Sequence, residues 1–172
     1  MSKYICKIIE VLRDNGQWEA VGVPLDDYLK GIYSGNVLFC LTDSATRVED
    51  TGTLSTKGAE LFADKKPELY TINLAVMKEA IGKFKEQMCS DITETFSDSK
   101  LRLILSGLNN PDFHWDGEIP QETDYCLRSD LSFDIEQIQD IVADATEVET
   151  IARYIGGVDD PDRIRMVFSL YD

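Results

Sequence analysis

The sequence is poor in the residues that usually carry catalysis and metal binding. It has one histidine and four cysteines, with no CxxC pair and no histidine at ligand spacing from any cysteine. A Walker loop, a dinucleotide-binding glycine pattern, a nucleophile elbow and a zinc-protease signature are also absent. These absences argue against the common enzyme classes, and we expect a protein that is not an enzyme and holds no cofactor and no metal.

Long apolar runs are missing as well. The first twelve residues contain Lys3, Lys7 and Glu10 among their apolar side chains, which fits neither a signal peptide nor a membrane span. The scattered cysteines are typical of free thiols in a reduced compartment. We therefore expect a cytoplasmic protein that does not associate with membranes.

Basic residues are scarce in the last third of the chain. Residues 1–106 carry 13 Lys and Arg against 16 Asp and Glu, whereas residues 107–172 carry 4 against 16, so the net charges are −3 and −12. The whole chain has a formal net charge of −15, which argues against direct binding to nucleic acid or to an anionic membrane. We expect a basic protein surface as the partner; a well-solvated acidic surface is the other interpretation.

The apolar residues that are present predict a sheet. Residues 4–13 are rich in β-branched and aromatic side chains, residues 14–16 form an Asp-Asn-Gly turn, and residues 18–23 return as a second strand. Alternation over residues 163–171 predicts a last strand that pairs with this hairpin.

The remaining elements predict an α+β fold. They are a helical turn over residues 24–33, a strand over residues 37–41, a surface loop over residues 43–55, a short helix over residues 56–63, a long helix capped by Thr71 and containing Ile72, and a strand over residues 125–133. We expect an antiparallel sheet of three to five strands with helices packed on one face. No linker divides the chain, so residues 1–172 should form a single domain, with the acidic residues 107–172 as a candidate sub-lobe.

Two consecutive helices carry the acidic surface that we single out. The first, capped by Ser132, has carboxylates at intervals of four opposite an isoleucine and valine stripe. Stacked like charges cost a helix about 0.2–0.5 kcal/mol per pair, so the fold does not require them. The second helix opens with a capping box of Thr146 and Glu149 and ends at Gly156. The predicted partner-binding residues are Glu136, Asp140, Asp144, Glu147, Asp134 and Glu149.

A second candidate binding element is the loop over residues 109–123. It holds Phe113, His114, Trp115 and Asp116, and aromatic residues in a loop either form a contact site or anchor the loop on the core. Both interpretations stay open.

The run Asp159-Asp160-Pro161-Asp162 offers carboxylates to a hard cation. It lacks the alternating spacing and the downstream glutamate of a calcium loop. We therefore expect a polar turn between a helix and the last strand.

Two stretches at the ends of the chain carry a resemblance: residues 8–21 with the turn Gly-Gln-Trp-Glu, and residues 162–168, Asp-Arg-Ile-Arg-Met-Val-Phe. They resemble small uncharacterised proteins encoded by bacteriophages, in which a similar GxWE hairpin opens the chain and a similar VRxVF strand closes it. This resemblance implies a setting of conflict between phage and host, and it implies no catalytic residues.

Together these features favour a non-enzymatic acidic binding protein, encoded by a phage and cytoplasmic in a bacterial host. It would inhibit a basic nucleic-acid-binding host protein by presenting carboxylates in place of phosphates. One alternative is a protein that sequesters a nucleotide or small ligand with the 113–116 loop and Arg163 or Arg165, although cations are few in that third of the chain. The other alternative is an enzyme that depends on a carboxylate-held metal.

Overall fold

The computed structural model describes residues 3–22, 29–33, 42–64, 68–95, 139 and 142–171. The strands in these ranges are β1 (Lys3–Leu12), β2 (Trp18–Val21), β3 (Leu29–Tyr33), β4 (Thr46–Arg47), β5 (Leu69–Asn73) and β6 (Ile164–Tyr171). The helices are α1 (Thr56–Leu61), α2 (Leu74–Thr95) and α3 (142–154), with 3₁₀ turns at Thr51–Thr53 and Pro161–Arg163. Residues 42–44 and 139 are also helical. The predicted α+β class is confirmed.

The described strands form one antiparallel sheet in the order β2-β1-β6-β5-β4, and β3 also pairs with β1. The pairing of β1 with β6 runs from Tyr4 opposite Tyr171 to Val11 opposite Ile164, so the predicted contact between the hairpin and the last strand is confirmed. The last strand lies in the middle of the sheet because β5 pairs with its other edge. Six strands are thus present in the described residues, and one of them, β4, has only two residues.

The predicted N-terminal hairpin is present. Gly16 takes a φ of +79°, which glycine adopts without the steric penalty that a Cβ brings. The N–H of Arg13 donates to the carbonyl of Gln17 at 2.9 Å and closes the turn. The side chain of Asn15 accepts from the N–H of Gln17 at 3.0 Å, which explains the choice of asparagine in this turn.

The helical turn predicted over residues 24–33 is wrong at its end, because Leu29–Tyr33 is the strand β3. The short β2 pairs only with the second half of β1, from Ile9 to Leu12. The first half of β1 therefore offers an edge with unpaired backbone groups, and β3 pairs with it from Lys3 to Lys7. Pairing with a distant strand overrides the local helical preference here.

The long helix is confirmed, but its predicted start is wrong. Leu69–Asn73 is the strand β5, so Thr71 and Ile72 are strand residues. Asn73 caps the helix, because its side-chain oxygen accepts from the N–H of Val76 at 2.7 Å.

The sequence predicts two consecutive acidic helices, but the structure shows a single helix across the predicted boundary between them. Residues 142–154 are helical without a break, so the capping box predicted at Thr146 is wrong. The hydroxyl of Thr146 instead donates to the carbonyl of Val142 at 2.8 Å, as threonine does inside a helix. The predicted glycine end is confirmed, since Gly157 has a φ of +69° and its N–H donates to the carbonyl of Arg153 at 3.1 Å.

The sheet separates two apolar clusters. The cluster on the first face lies under α2 and α3 and includes Ile9, Val11, Met77, Val148, Ala152 and Phe168. The cluster on the second face lies under α1 and the segment before it and includes Ile8, Val48, Leu54, Phe62, Leu69 and Val167. Alternate residues of β1 and β6 contribute to opposite clusters. The long helices thus share one face as expected, and the short α1 covers the other.

Several predicted elements lie outside the described residues: the strand over residues 37–41, the loop over residues 109–123, the strand over residues 125–133 and the Ser132 cap. The loop predicted over residues 43–55 contains β4 and a 3₁₀ turn. None of the helices in the described ranges is long and apolar enough to cross a membrane.

Candidate functional site on the acidic helix

Helix α3 is fixed to the sheet by a buried apolar stripe. Val142, Ala145, Val148 and Ala152 recur at intervals of three and four, and each is at most 9% exposed. Its end is tied to the hairpin, because a guanidinium nitrogen of Arg13 donates to the carbonyl of Gly156. The carboxylates of this helix therefore stand on a rigid element.

Asp144 does not point outward as predicted. Its carboxylate accepts a hydrogen bond from Nζ of Lys7 at 2.6 Å, and the two side chains are 17% and 4% exposed. Lys7 belongs to β1 and lies on the first face with Ile9 and Val11. The pair thus anchors α3 to the sheet, and the carboxylate of Asp144 is engaged with Lys7.

The environment of Asp144 changes its acidity. Burial removes water from the carboxylate and raises its pKa above the ordinary value, and the ammonium of Lys7 lowers the pKa without cancelling this effect. The sequence held a signal for this position. Asp144 lies four residues before Val148 and next to Ala145, which places it at the border of the apolar stripe.

The other predicted contact residues differ in their surroundings. Glu149 is 33% exposed and accepts from Nζ of Lys78 on α2 at 2.8 Å. Glu147 is exposed and makes no ion pair within the described residues. Glu136, Asp140 and Asp134 lie outside the described residues, as do Phe113, His114, Trp115 and Asp116.

A groove of about 350 Å³ runs between α2 and α3. Its lining residues are Lys78, Ile81, Gly82, Lys85, Val142, Ala145, Thr146 and Glu149. A Cβ built on Gly82 meets no atom within 4 Å, so the helices leave open space at this point. Burial lowers the pKa of Lys85 at the edge of the groove.

The second face holds a buried polar network that sequence reasoning missed. Glu10 is fully buried, and its carboxylate accepts from Nε and Nη2 of Arg165 at 2.8 and 2.6 Å. The same carboxylate accepts from the N–H and hydroxyl of Ser55, the cap of α1, at 3.0 and 2.6 Å. The signal was present, because Glu10 interrupts an apolar strand at a position that must face a core.

Arg165 also contacts two further groups. Its Nη2 donates to the carbonyl of Thr53 at 2.8 Å, and its guanidinium carbon lies 3.8 Å from the ring centre of Trp18. Burial lowers the pKa of Arg165, and Glu10 raises it. Arg163 donates to the carbonyl of Leu12 and to the carboxylate of Asp14. Both arginines considered for nucleotide binding are thus engaged in structural contacts.

The acidic run before β6 is a turn, as predicted. The side chain of Asp160 accepts from the N–H of Asp162 at 3.0 Å and caps a 3₁₀ turn. Asp159 pairs with Arg153 at 2.6 Å. Among the residues that the structure describes, no group of three or more His, Cys, Asp or Glu side chains could hold a metal ion.

The fold and the site define an α+β protein in which a charged helix is anchored on an antiparallel sheet by a buried ion pair. Comparison of the chain with protein-family models, with curated proteins and with solved structures gave no match. Function is therefore inferred from the residues themselves.

Proposed function

We propose that this protein is a non-enzymatic acidic binding protein whose last third occupies a basic, nucleic-acid-binding surface of another protein. The observation that carries this proposal is the charge distribution, with a net charge of −12 in residues 107–172 against −3 in residues 1–106. Carboxylates at regular spacing attract the lysine and arginine side chains that otherwise contact phosphates. Residues 8–21 and 162–168 resemble phage-encoded proteins, and in that setting the partner is a host defence or regulatory protein.

The geometry of α3 supports this proposal. The buried stripe and the contact between Lys7 and Asp144 hold the helix in one orientation, so binding through a carboxylate on its outer side does not have to order the backbone that carries it. Glu147 is such a carboxylate. Asp144 anchors the helix through Lys7 and is not part of the proposed contact surface.

Because Asp144 anchors the helix, the variant that tests the proposal must leave it unchanged. The test variant combines Glu136→Lys, Asp140→Lys and Glu147→Lys and leaves Asp144 unchanged, because a lysine at position 144 lies beside buried Lys7 and disrupts the fold. The matched control is a second triple variant in exposed positions of the first 106 residues: Asp43→Lys, Glu60→Lys and Asp64→Lys. Both variants change the net charge by the same amount.

The experiment is capture from a bacterial lysate by wild type and both variants at low and high salt, with the bound proteins identified by mass spectrometry. We expect wild type and the control to retain the same nucleic-acid-binding protein, the test variant to lose it, and salt to release it. Equal capture by all three proteins, or equal loss from both variants, contradicts a specific acidic surface in the last third.

A further inference from the structure

A second concave surface lies at the β2 edge of the sheet, between the hairpin and α1. It encloses about 340 Å³, which is at the lower end of the range of small-molecule sites. Its lining residues are Arg13, Asn15, Gln17, Trp18, Glu19, Ala20, Ser55, Thr56 and Lys57. This cavity is separate from α3, which packs on the first face.

Trp18 gives the cavity a rigid aromatic wall. The guanidinium of Arg165 lies 3.8 Å from the centre of its ring, and Arg165 is itself held by buried Glu10. Because Glu10 is fully buried and the side chain of Arg165 is only 11% exposed, the indole keeps one orientation before any ligand arrives. A planar ring can stack on such a wall at little entropic cost.

The charges that line the cavity are opposite in sign to the charge of the whole chain. Arg13 and Lys57 outweigh Glu19, whereas the chain carries a net charge of −15. Arg13 is positioned by Glu19, whose carboxylate accepts from its Nε at 2.9 Å and its Nη2 at 3.1 Å. A guanidinium has five N–H donors; Arg13 uses two on Glu19 and one on the carbonyl of Gly156, so two remain for an anion. Lys57 makes no ion pair within the described residues.

We propose that this cavity binds a mononucleotide, with the base stacked on Trp18 and the phosphate contacted by Lys57 and Arg13. A planar heterocycle joined to a phosphate matches an aromatic wall beside two cations. The inference is independent of the proposed binding of a basic protein, since no residue of α3 lines this cavity and none of the α3 carboxylates takes part. It also differs from a site on Arg163 and Arg165, which are engaged elsewhere.

The test uses the fluorescence of Trp18. The chain has two tryptophans, so a Trp115→Phe background leaves Trp18 as the sole reporter, and adenosine 5′-monophosphate is the probe. We expect saturable quenching, and we expect Lys57→Gln to weaken the affinity at least about tenfold, as the loss of one charge-assisted hydrogen bond predicts. The control is Lys83→Gln on α2, where the lysine is 69% exposed and pairs with Glu79; it should change the affinity less than twofold. Calorimetry of the unsubstituted protein, expected to give one bound nucleotide per chain, covers the case in which Trp115→Phe disturbs the fold.

Three further probes separate the contributions of base and phosphate. Adenosine and inorganic phosphate should each bind more weakly than the nucleotide, because each lacks one of the two contacts. A short single-stranded oligonucleotide should bind no more tightly than the nucleotide, since the rest of the acidic chain repels it. The absence of saturable binding, equal effects of Lys57→Gln and Lys83→Gln, or much tighter binding of the oligonucleotide overturns the proposal.

Discussion

Each face of the sheet holds one carboxylate beside one cation, fully buried on the second face and 17% exposed on the first, and the two pairs are built differently. On the second face Glu10 accepts four hydrogen bonds, two from Arg165 and two from Ser55. On the first face Asp144 accepts one hydrogen bond within the described residues, from Lys7. A fully bonded carboxylate stabilises a unique arrangement of its neighbours, whereas a carboxylate with one bond keeps a large part of its desolvation cost.

This difference assigns different roles to the two pairs. Both start from β1, but the Glu10 network joins β1 to β6, to the cap of α1 and to the ring of Trp18. The ion pair of Lys7 with Asp144 joins β1 to α3. We therefore expect loss of the first network to affect the whole sheet, and loss of the second pair to loosen mainly the acidic helix.

The largest expected effect comes from Arg165→Met. Removal of the guanidinium leaves fully buried Glu10 without its cation, and breaking a buried pair from one side typically costs about 3–5 kcal/mol. Urea denaturation measures the free energy of unfolding. Lys83→Met, which removes an exposed pair with Glu79, is the control and should leave the free energy of unfolding nearly unchanged. Equal losses in the two variants contradict the importance of the buried network.

A smaller loss is expected from Lys7→Met, about 2–3 kcal/mol. A buried aspartate that loses its cation can take up a proton, and burial already raises the pKa of Asp144. Adding Asp144→Leu should restore most of the lost stability, because apolar residues often replace a buried pair without cost. A double-mutant cycle measures this coupling. Additive losses from the two substitutions contradict a direct interaction.

The helix glycines provide a matched pair, one on each face. A Cβ added to Gly58 in α1 comes within 2.5 Å of Oε1 of Glu10, whereas one added to Gly82 in α2 meets nothing. We expect Gly58→Ala to cost about 1–2 kcal/mol by displacing Glu10. Gly82→Ala should gain about 0.5–1 kcal/mol from helix propensity. Thermal unfolding separates the two, and a gain in both variants shows that Glu10 moves without cost.

The smallest expected effect is a dependence of stability on pH, caused by Asp144 on the first face. The pKa of Asp144 is raised in the folded chain, so the folded state binds the proton more tightly than the unfolded state. The stability contributed by this group therefore falls as pH rises from the ordinary aspartate pKa of about 3.9 through the raised value.

The measurement is the free energy of unfolding of wild type and Asp144→Asn between about pH 3 and pH 7. Wild type should lose stability relative to the variant as pH rises through this window. A constant difference shows that Lys7 and burial balance, and a change in the opposite direction shows that Lys7 outweighs burial; both contradict the raised pKa of Asp144.

Local sequence patterns were sufficient for the elements that depend on neighbouring residues. The Asn15 turn, the short helix that begins at Thr56, the glycine end of α3 and the alternating last strand follow from turn chemistry and periodicity. The strand β3 could not be predicted in this way. It pairs with the first half of β1, and that edge is open only because β2 is too short to cover it. The start of α2 could not be predicted either, because residues 69–73 form a strand through their pairing with β6.

The candidate site shows the same division. Helical spacing alone predicts that Glu147 faces solvent, and its side chain is exposed in the structure. The inward position of Asp144 depends on Lys7, which lies 137 residues earlier in the chain. Charge patterning shows where carboxylates accumulate, but long-range pairing decides which of them reach solvent.

Displacement of nucleic acid tests the central claim most directly. A labelled DNA or RNA duplex is bound to the captured host protein, and its fluorescence anisotropy is followed as this protein is added at several salt concentrations. We predict that wild type and the Asp43, Glu60 and Asp64 control release the duplex, with a competition that weakens as salt rises, and that the Glu136, Asp140 and Glu147 variant does not. Simultaneous binding of the duplex and this protein to the host protein contradicts the replacement of phosphates by carboxylates.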